Sequence, residues 1–308
     1  MTKTIEIKKV AVIGAGTLGA QIAMVASKSG YDVTVSDPNA GQFDTTIDKL
    51  YADYKEKGLN PSILPLDKWA ETRQQVRQVQ KNEDAAGDAD LVVEAVPENL
   101  ELKRTIFKQL GQMAPAEAIL TTNSSSIPVS RLEESSGRPE RVLNTHFYMV
   151  LEGMNMADLM GGSKTLPEVL DTGADWIRSM GCLPLTVKKE LMGFCFNRVW
   201  RAVKRECLYM WGNDFVDLRD VDRAWMIAFG HHGGAGPFAS MDHVGLDVVW
   251  DIEMSYYNDS KDPKDHPPKA LKKKIDKEEL GVKSGKGFYT YPDPEYLQDD
   301  FLNPKAKD

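Results

Sequence analysis

His146 is the side chain best suited to move a proton. It sits near the end of an apolar run, RVLNTHF (141–147), that reads as a buried strand. This places it at the strand's C-terminal end, the edge at which open parallel sheets bind ligands. Imidazole titrates near neutrality, so it can take the proton of a hydroxyl that is being oxidised. A carboxylate on the other ring nitrogen would fix the tautomer and stabilise the imidazolium, and Glu152 and Asp158 are both within reach in sequence. A histidine satisfied within the core is the competing reading. His231 and His232 fall in a glycine-rich turn, His243 in a helix and His266 in a polar stretch, and none of these is expected to be catalytic. TTNSSSIP (121–128) ends another strand with small polar residues. These can hydrogen-bond a carbonyl or a carboxamide. A helix N-cap at 124–126 ahead of Pro128 is the structural alternative, and both can hold.

A second pattern lies near the start. VIGAGTLGAQIA places Gly14, Gly16 and Gly19 as GxGxxG between a strand and a helix. Gly14 allows the tight turn, Gly16 lets the backbone approach a pyrophosphate, and Gly19 lets helix and strand pack closely. The stretch from Gly14 through Ala15, Thr17 and Leu18 to Gly19 is the expected phosphate cradle, backed by the free N–H groups of the helix start. The next strand, DVTVS, runs up to Asp37, 18 residues beyond Gly19. A carboxylate there accepts both ribose hydroxyls and repels a 2′-phosphate, which favours NAD over NADP. FAD shares a similar fingerprint.

These residues need a scaffold. Apolar runs at 9–13, 32–36, 90–96, 118–122, 141–147 and 183–187 read as strands buried on both faces and alternate with helical stretches. That is the pattern of an α/β fold with a doubly wound parallel sheet. Past about residue 188 the strand signal fades, and helical stretches follow at 196–211, 218–229 and 241–257. The expected division is therefore 1–188 for the nucleotide-binding domain and 189–308 for a smaller all-helical domain, with a loosely held polar tail from Tyr291.

Composition narrows the class. In 308 residues, 38 Lys and Arg face 46 Asp and Glu, a formal net charge of −8, which argues against a nucleic-acid or acidic-membrane binder. Cys182, Cys195 and Cys207 show no metal-ligand or disulfide spacing, no metal site is expected, and a reducing compartment fits. No apolar run reaches the roughly 18 residues that span a bilayer. The expectation is a soluble cytoplasmic protein.

Taken together, VIGAGTLGAQIA, DADLVVEAVPENLELKRTIFKQL, TTNSSSIPVS, HF at 146–147, GFCFNR (193–198), GGAGPFASMDHVGLD (233–247) and GVKSGKGFYTY (281–291) resemble the L-3-hydroxyacyl-CoA dehydrogenase family in order and spacing. The resemblance implies a Rossmann-type domain followed by a helical domain that also forms a homodimer. It also implies reversible, NAD-dependent oxidation of the 3-hydroxyl of an acyl thioester, in fatty-acid metabolism. By position, His146 matches the catalytic histidine and Asp158 falls where the family has its orienting Glu. Ser125 matches a serine that touches substrate and cofactor, and Asn197 an active-site asparagine. Glu98, Lys103 and Lys283 match cofactor contacts. Lys55 or Lys57 falls near a lysine that meets the CoA phosphates.

The chain departs from the family around the substrate. HFYMV puts Met149 and Val150 where the family has Asn and Pro, Asp158 is one methylene shorter than Glu, and Met192 replaces a Pro. Trp200, Arg201 and Lys204 share a helical face with Asn197. If that face lines the substrate cleft, Arg201 would meet a substrate carboxylate or phosphate. An exposed basic face, with Trp200 in the core or a dimer interface, is the alternative. Two other functional readings stand beside the acyl-CoA one: a dehydrogenase of a free hydroxy acid, as for carnitine or gulonate, and a dinucleotide binder without catalysis.

Overall fold

The computed structural model describes residues 5–230 and 235–302. The chain divides into two compact units, Met1–Phe196 and Asn197–Asp308. In the first, the period of two along each strand sorts side chains onto two cores. On β1 (Lys9–Ile13), Val10 and Val12 face one core while Ala11 and Ile13 face the other. On β4 (Leu91–Glu94), Leu91 and Val93 join the first core and Val92 the second. Both faces are thus dry, which is why these runs read as continuously apolar.

Helices cover the two faces. α1 (Thr17–Lys28), α2 (Gln42–Glu56) and α6 (Pro167–Ser179) pack on the first core, with α3 (Trp69–Gln75) beside them. α4 (Asn82–Ala86) and α5 (Leu100–Met113) cover the second through Ala85, Phe107 and Leu110. α5 starts where Asn99 Oδ1 accepts the Leu102 N–H at 3.0 Å, a cap that stabilises by about 1 kcal/mol.

The remaining strands are β2 (Asp32–Ser36), β3 (Arg77–Val79), β5 (Ile119–Thr122), β6 (Val142–Phe147), β7 (Met156–Gly161) and β8 (Leu183–Val187). The sheet order is β3-β2-β1-β4-β5-β6-β7-β8. The doubly wound α/β reading holds, with one correction: the sheet is mostly rather than wholly parallel. β7 runs antiparallel to β6, and β8 is parallel to β7. β7 and the three-residue β3 escape the sequence reading for physical reasons. MADLMG carries no β-branched residue and has an aspartate at its centre, and RQV is short and half-exposed at an edge.

The second unit is helical: α7 (Phe196–Gly212), α8 (Leu218–Phe229), α9 (Pro237–Val244), α10 (Leu246–Ser260) and α11 (Lys269–Ile275). The single helix expected over 241–257 is two, broken at Gly245, whose φ of +99° suits only glycine. As far as residue 302, the tail is not loose as expected. Tyr296 and Phe301 are buried in this unit's core, the Arg223 guanidinium lies over the Phe301 ring at 4.7 Å, and its Nε donates to the Phe301 carbonyl at 2.7 Å. Among the described residues no helix is long and apolar enough to cross a membrane, and no cluster of three or more potential metal ligands occurs.

Candidate active site

The glycine turn after β1 is built to carry a phosphate. Gly14 has φ +104°, and a Cβ there would stand 2.7 Å from the Ala95 carbonyl oxygen. At Gly19 a Cβ would stand 2.0 Å from the Gly14 carbonyl, so only glycine allows α1 to start this close to the strand. Next to Gly16 there is open space, and the first turn of α1 holds no acidic residue. The loop is held from both sides. The Ala15 N–H donates to Asp37 Oδ2 at 3.0 Å, and Thr46 Oγ1 donates to the Ala15 carbonyl at 2.9 Å. Asp37 Oδ1 takes the Asn39 N–H at 2.9 Å. An open cavity of about 620 Å³ runs from Gly14 and Gly16 past Asp37 to Val96 and Ile106. An apolar slot with a carboxylate at the end of β2 and a bare amide cradle suits a dinucleotide: Val96 and Ile106 would flank its adenine, Asp37 would take its ribose and the α1 start its pyrophosphate.

At the C-terminal end of β5 a polar network fixes the serine turn. Ser124 Oγ donates to Glu98 Oε1 at 2.5 Å, and the Ser126 N–H and Oγ reach the same oxygen at 3.1 and 2.8 Å. Glu98 is in turn paired with Lys103 at 3.3 Å, and Lys103 with Glu94 at 2.7 Å. Lys103 is only 1% exposed. Its ammonium therefore holds Glu98 and the serine turn instead of reaching a cofactor directly, which corrects its expected role. Burial pushes the Glu94 carboxyl up. For Glu98, burial also acts upward, but hydrogen bonds from Ser124 and the Lys103 charge outweigh it and hold the group low. Ser125, at the tip of this turn, is exposed and makes no protein hydrogen bond among the described residues.

His146 and Asp158 face each other directly in the β6–β7 register. His146 Nδ1 lies 3.4 Å from Asp158 Oδ2, with the ring 4% exposed and Asp158 fully buried. Of the two carboxylates open in sequence, Asp158 is thus the partner; Glu152 lies instead beside Lys57 and Tyr54. Three more groups complete the surroundings. The Tyr148 hydroxyl donates to Asp158 Oδ2 at 2.5 Å, the Cys195 N–H donates to Oδ1 at 3.1 Å, and the Tyr148 and Phe194 rings flank the imidazole at 4.7 and 5.4 Å. The strand end is pinned by Asn123, whose Oδ1 accepts the Phe147 N–H at 2.8 Å, and by Asn144, whose Nδ2 donates to the Ser124 carbonyl at 2.9 Å. The altered Met149–Val150 stretch is packed, not adrift. Gln21, buried on α1, donates to Met149 Sδ at 3.7 Å and accepts the Leu151 N–H at 3.1 Å.

Asn197 is the second residue of α7 and half-buried. Lys57 pairs with Asp53 at 2.9 Å on the exposed end of α2. Lys283 pairs with both oxygens of Asp247 at 2.6 Å. Arg201 is buried, bonded to Glu253 and Asp265 at 2.9 Å each, with its guanidinium over the Tyr256 ring. Its charge is answered inside the helical unit, so the expected substrate anion on Arg201 is set aside, as is the exposed basic face. His231 and His232, with Gly233 and Gly234 of the motif after them, lie outside the described residues. His243 caps its own helix, with Nδ1 2.9 Å from the Ala239 carbonyl, and His266 packs edge-on against Trp250 and Tyr257. The sequence reading missed Tyr148, Asn123 and Asn144. Tyr148 carries a signal, because it stands two residues from His146 and so shares its side of the strand.

A family model described as the 3-hydroxyacyl-CoA dehydrogenase NAD binding domain matches residues 9–191, and one described as that family's C-terminal domain matches 193–291. A probable 3-hydroxybutyryl-CoA dehydrogenase of Deinococcus radiodurans is 33% identical over 290 residues, covering 92% of this chain and all of the relative. Among solved structures, a diketoreductase that acts on dicarbonyl compounds superposes with a TM-score of 0.80 at 32% identity, covering 94% of this chain and all of its own. The (S)-3-hydroxybutyryl-CoA dehydrogenase of Ralstonia eutropha gives 0.81 at 26% identity, with the same coverage of both chains.

Proposed function

The chain belongs to the 3-hydroxyacyl-CoA dehydrogenase family and is an NAD-dependent oxidoreductase, and on that premise we propose how its residues divide the reaction. The substrate pair is an L-3-hydroxyacyl-CoA and the 3-ketoacyl-CoA, and the naming of the Deinococcus and Ralstonia relatives supports a short, four-carbon acyl group. Bound NAD supplies the hydride acceptor.

His146 takes the hydroxyl proton as C3 is oxidised. The Asp158 carboxylate beside Nδ1 keeps the ring proton on that nitrogen, which leaves Nε2 with the free lone pair and favours the imidazolium that forms. In the reverse direction the same imidazolium returns the proton to the carbonyl oxygen. Ser125 hydrogen-bonds the reacting oxygen and the nicotinamide carboxamide, on a turn that Glu98 and Lys103 hold in place. Asn197, with Ser125, positions the oxygens and polarises the carbonyl in the reverse direction. Gly14 to Gly19 and Asp37 seat the dinucleotide, Lys283 contacts it, and Lys57 meets the CoA phosphates. The observation that carries this reading is the buried His146–Asp158 pair across two strands, at the sheet edge that also holds the serine turn. The same pair disfavours a binder without catalysis.

The helical unit exposes Val199, Phe215, Ile227 and Phe229, each more than half accessible, which supports a homodimer through that unit. We place the enzyme in the cytoplasm and in fatty-acid metabolism. The test is NADH oxidation with acetoacetyl-CoA, longer 3-ketoacyl-CoAs and free acetoacetate. Turnover of the thioesters with kcat/KM at least a hundredfold above the free acid is expected, and preference for the free acid would refute the CoA assignment.

A further inference from the structure

We propose that Tyr148 is a positioning residue for this reaction, its phenol holding the Asp158 carboxylate in the orientation that faces His146. The inference rests on His146 being the base.

The geometry starts from the register. His146 and Asp158 are directly opposed on antiparallel strands, where facing side chains stand about 5 Å apart at Cβ. An aspartate is short for that gap, and Nδ1 to Oδ2 is 3.4 Å, beyond the usual range for a hydrogen bond. On its own this contact does not orient the carboxylate. Tyr148, one residue past the end of β6, reaches the same Oδ2 at 2.5 Å, the length of a charge-assisted O–H···O⁻ bond. Cys195 N–H holds the other oxygen at 3.1 Å. Two donors on two oxygens fix the plane of the carboxylate, and His146 meets the result. Tyr148 and Asp158 are 7% and 0% exposed, so water does not substitute for the phenol. The tyrosine ring also stands edge-on to the imidazole at 4.7 Å and to Phe196 at 5.5 Å, which leaves the hydroxyl little freedom to point elsewhere. One side chain therefore both packs against the base and anchors its partner.

The test is a double-mutant cycle in the full chain, read as acetoacetyl-CoA reduction by NADH, with NADH affinity from fluorescence. Y148F keeps the ring and removes one oxygen. Its kcat is expected to fall about tenfold, with KM for both substrates and Kd for NADH within twofold of wild type. D158N is expected to lose about a hundredfold. Adding Y148F to D158N should then cost less than twofold more, because the phenol acts through that carboxylate. Wild-type or higher kcat in Y148F overturns the proposal, as does a double variant in which the two losses multiply. Y148F/D158E covers the case in which Y148F alone is poorly folded. The longer carboxylate reaches His146 without the phenol, so kcat within threefold of D158E is expected, and a further tenfold loss contradicts the proposal. H146Q separates the two claims, since wild-type kcat there removes the base itself, whatever Tyr148 does.

Discussion

Both units bury aspartates completely or nearly so, and they use them in opposite ways. In the helical unit, Asp222 accepts the Phe238 and Ala239 N–H groups and the Tyr289 hydroxyl at 2.9–3.0 Å. Asp242 accepts the Phe288 and Tyr289 N–H groups at 2.8 Å and the Tyr291 hydroxyl at 3.2 Å. Each ties the start or the body of α9 to segments far away in sequence. Burial pushes Asp222 up to about 6 and Asp242 upward as well, against the pull of those amides. In the first unit, Asp158 takes a single amide, from Cys195, and its second oxygen faces a phenol and an imidazole. A carboxylate surrounded by main-chain donors is a pin. One that shares an oxygen with a titratable ring can respond when that ring gains a proton.

The comparison can be broken in several places. The largest effect is expected at Asp222. D222A strands three buried donors and should destabilise the helical unit by about 4 kcal/mol, read as a lower urea midpoint, whereas D158N, which keeps the side chain's size and one acceptor oxygen, should cost only about 1–2 kcal/mol. Equal losses in both would erase the distinction between pin and site. R201A should come next. Breaking a buried ion pair costs about 3 kcal/mol, yet KM for acetoacetyl-CoA and for free acetoacetate should stay within twofold of wild type. A rise in KM for either substrate would return Arg201 to the site. The smallest effect is expected at Asp37. D37S should raise KM for NADH about tenfold, close to 1.4 kcal/mol, while NADPH use improves. Unchanged selectivity would contradict the ribose assignment.

Much of the first unit was legible because its chemistry is local. Gly14, Gly16, Gly19 and Asp37 lie in one strand–helix–strand stretch, and the conformations they require follow from residue type alone. His146 was legible from the strand before it. From the residues alone Asp158 was one of two candidates, and only the family resemblance singled it out, since β7 is Met-rich with a charge at its centre and its antiparallel pairing with β6 depends on residues distant in sequence. Tyr148 was hidden for the same reason: its partner is visible only once that register is known. In the helical unit, the basic face starting at Asn197 left a substrate anion and plain solvent as the two readings. The structure instead answers Arg201 with Glu253 and Asp265, from positions more than 50 residues away. Charge periodicity shows which side chains share a face, not what covers that face.

The central claim is that His146 is the base. Its most direct test is H146Q, followed by kcat for acetoacetyl-CoA reduction and Kd for NADH on the same preparation. The account predicts that kcat falls by a factor of about 10² to 10⁴ while NADH binds as in wild type. Turnover within tenfold of wild type, with the cofactor bound, would contradict it.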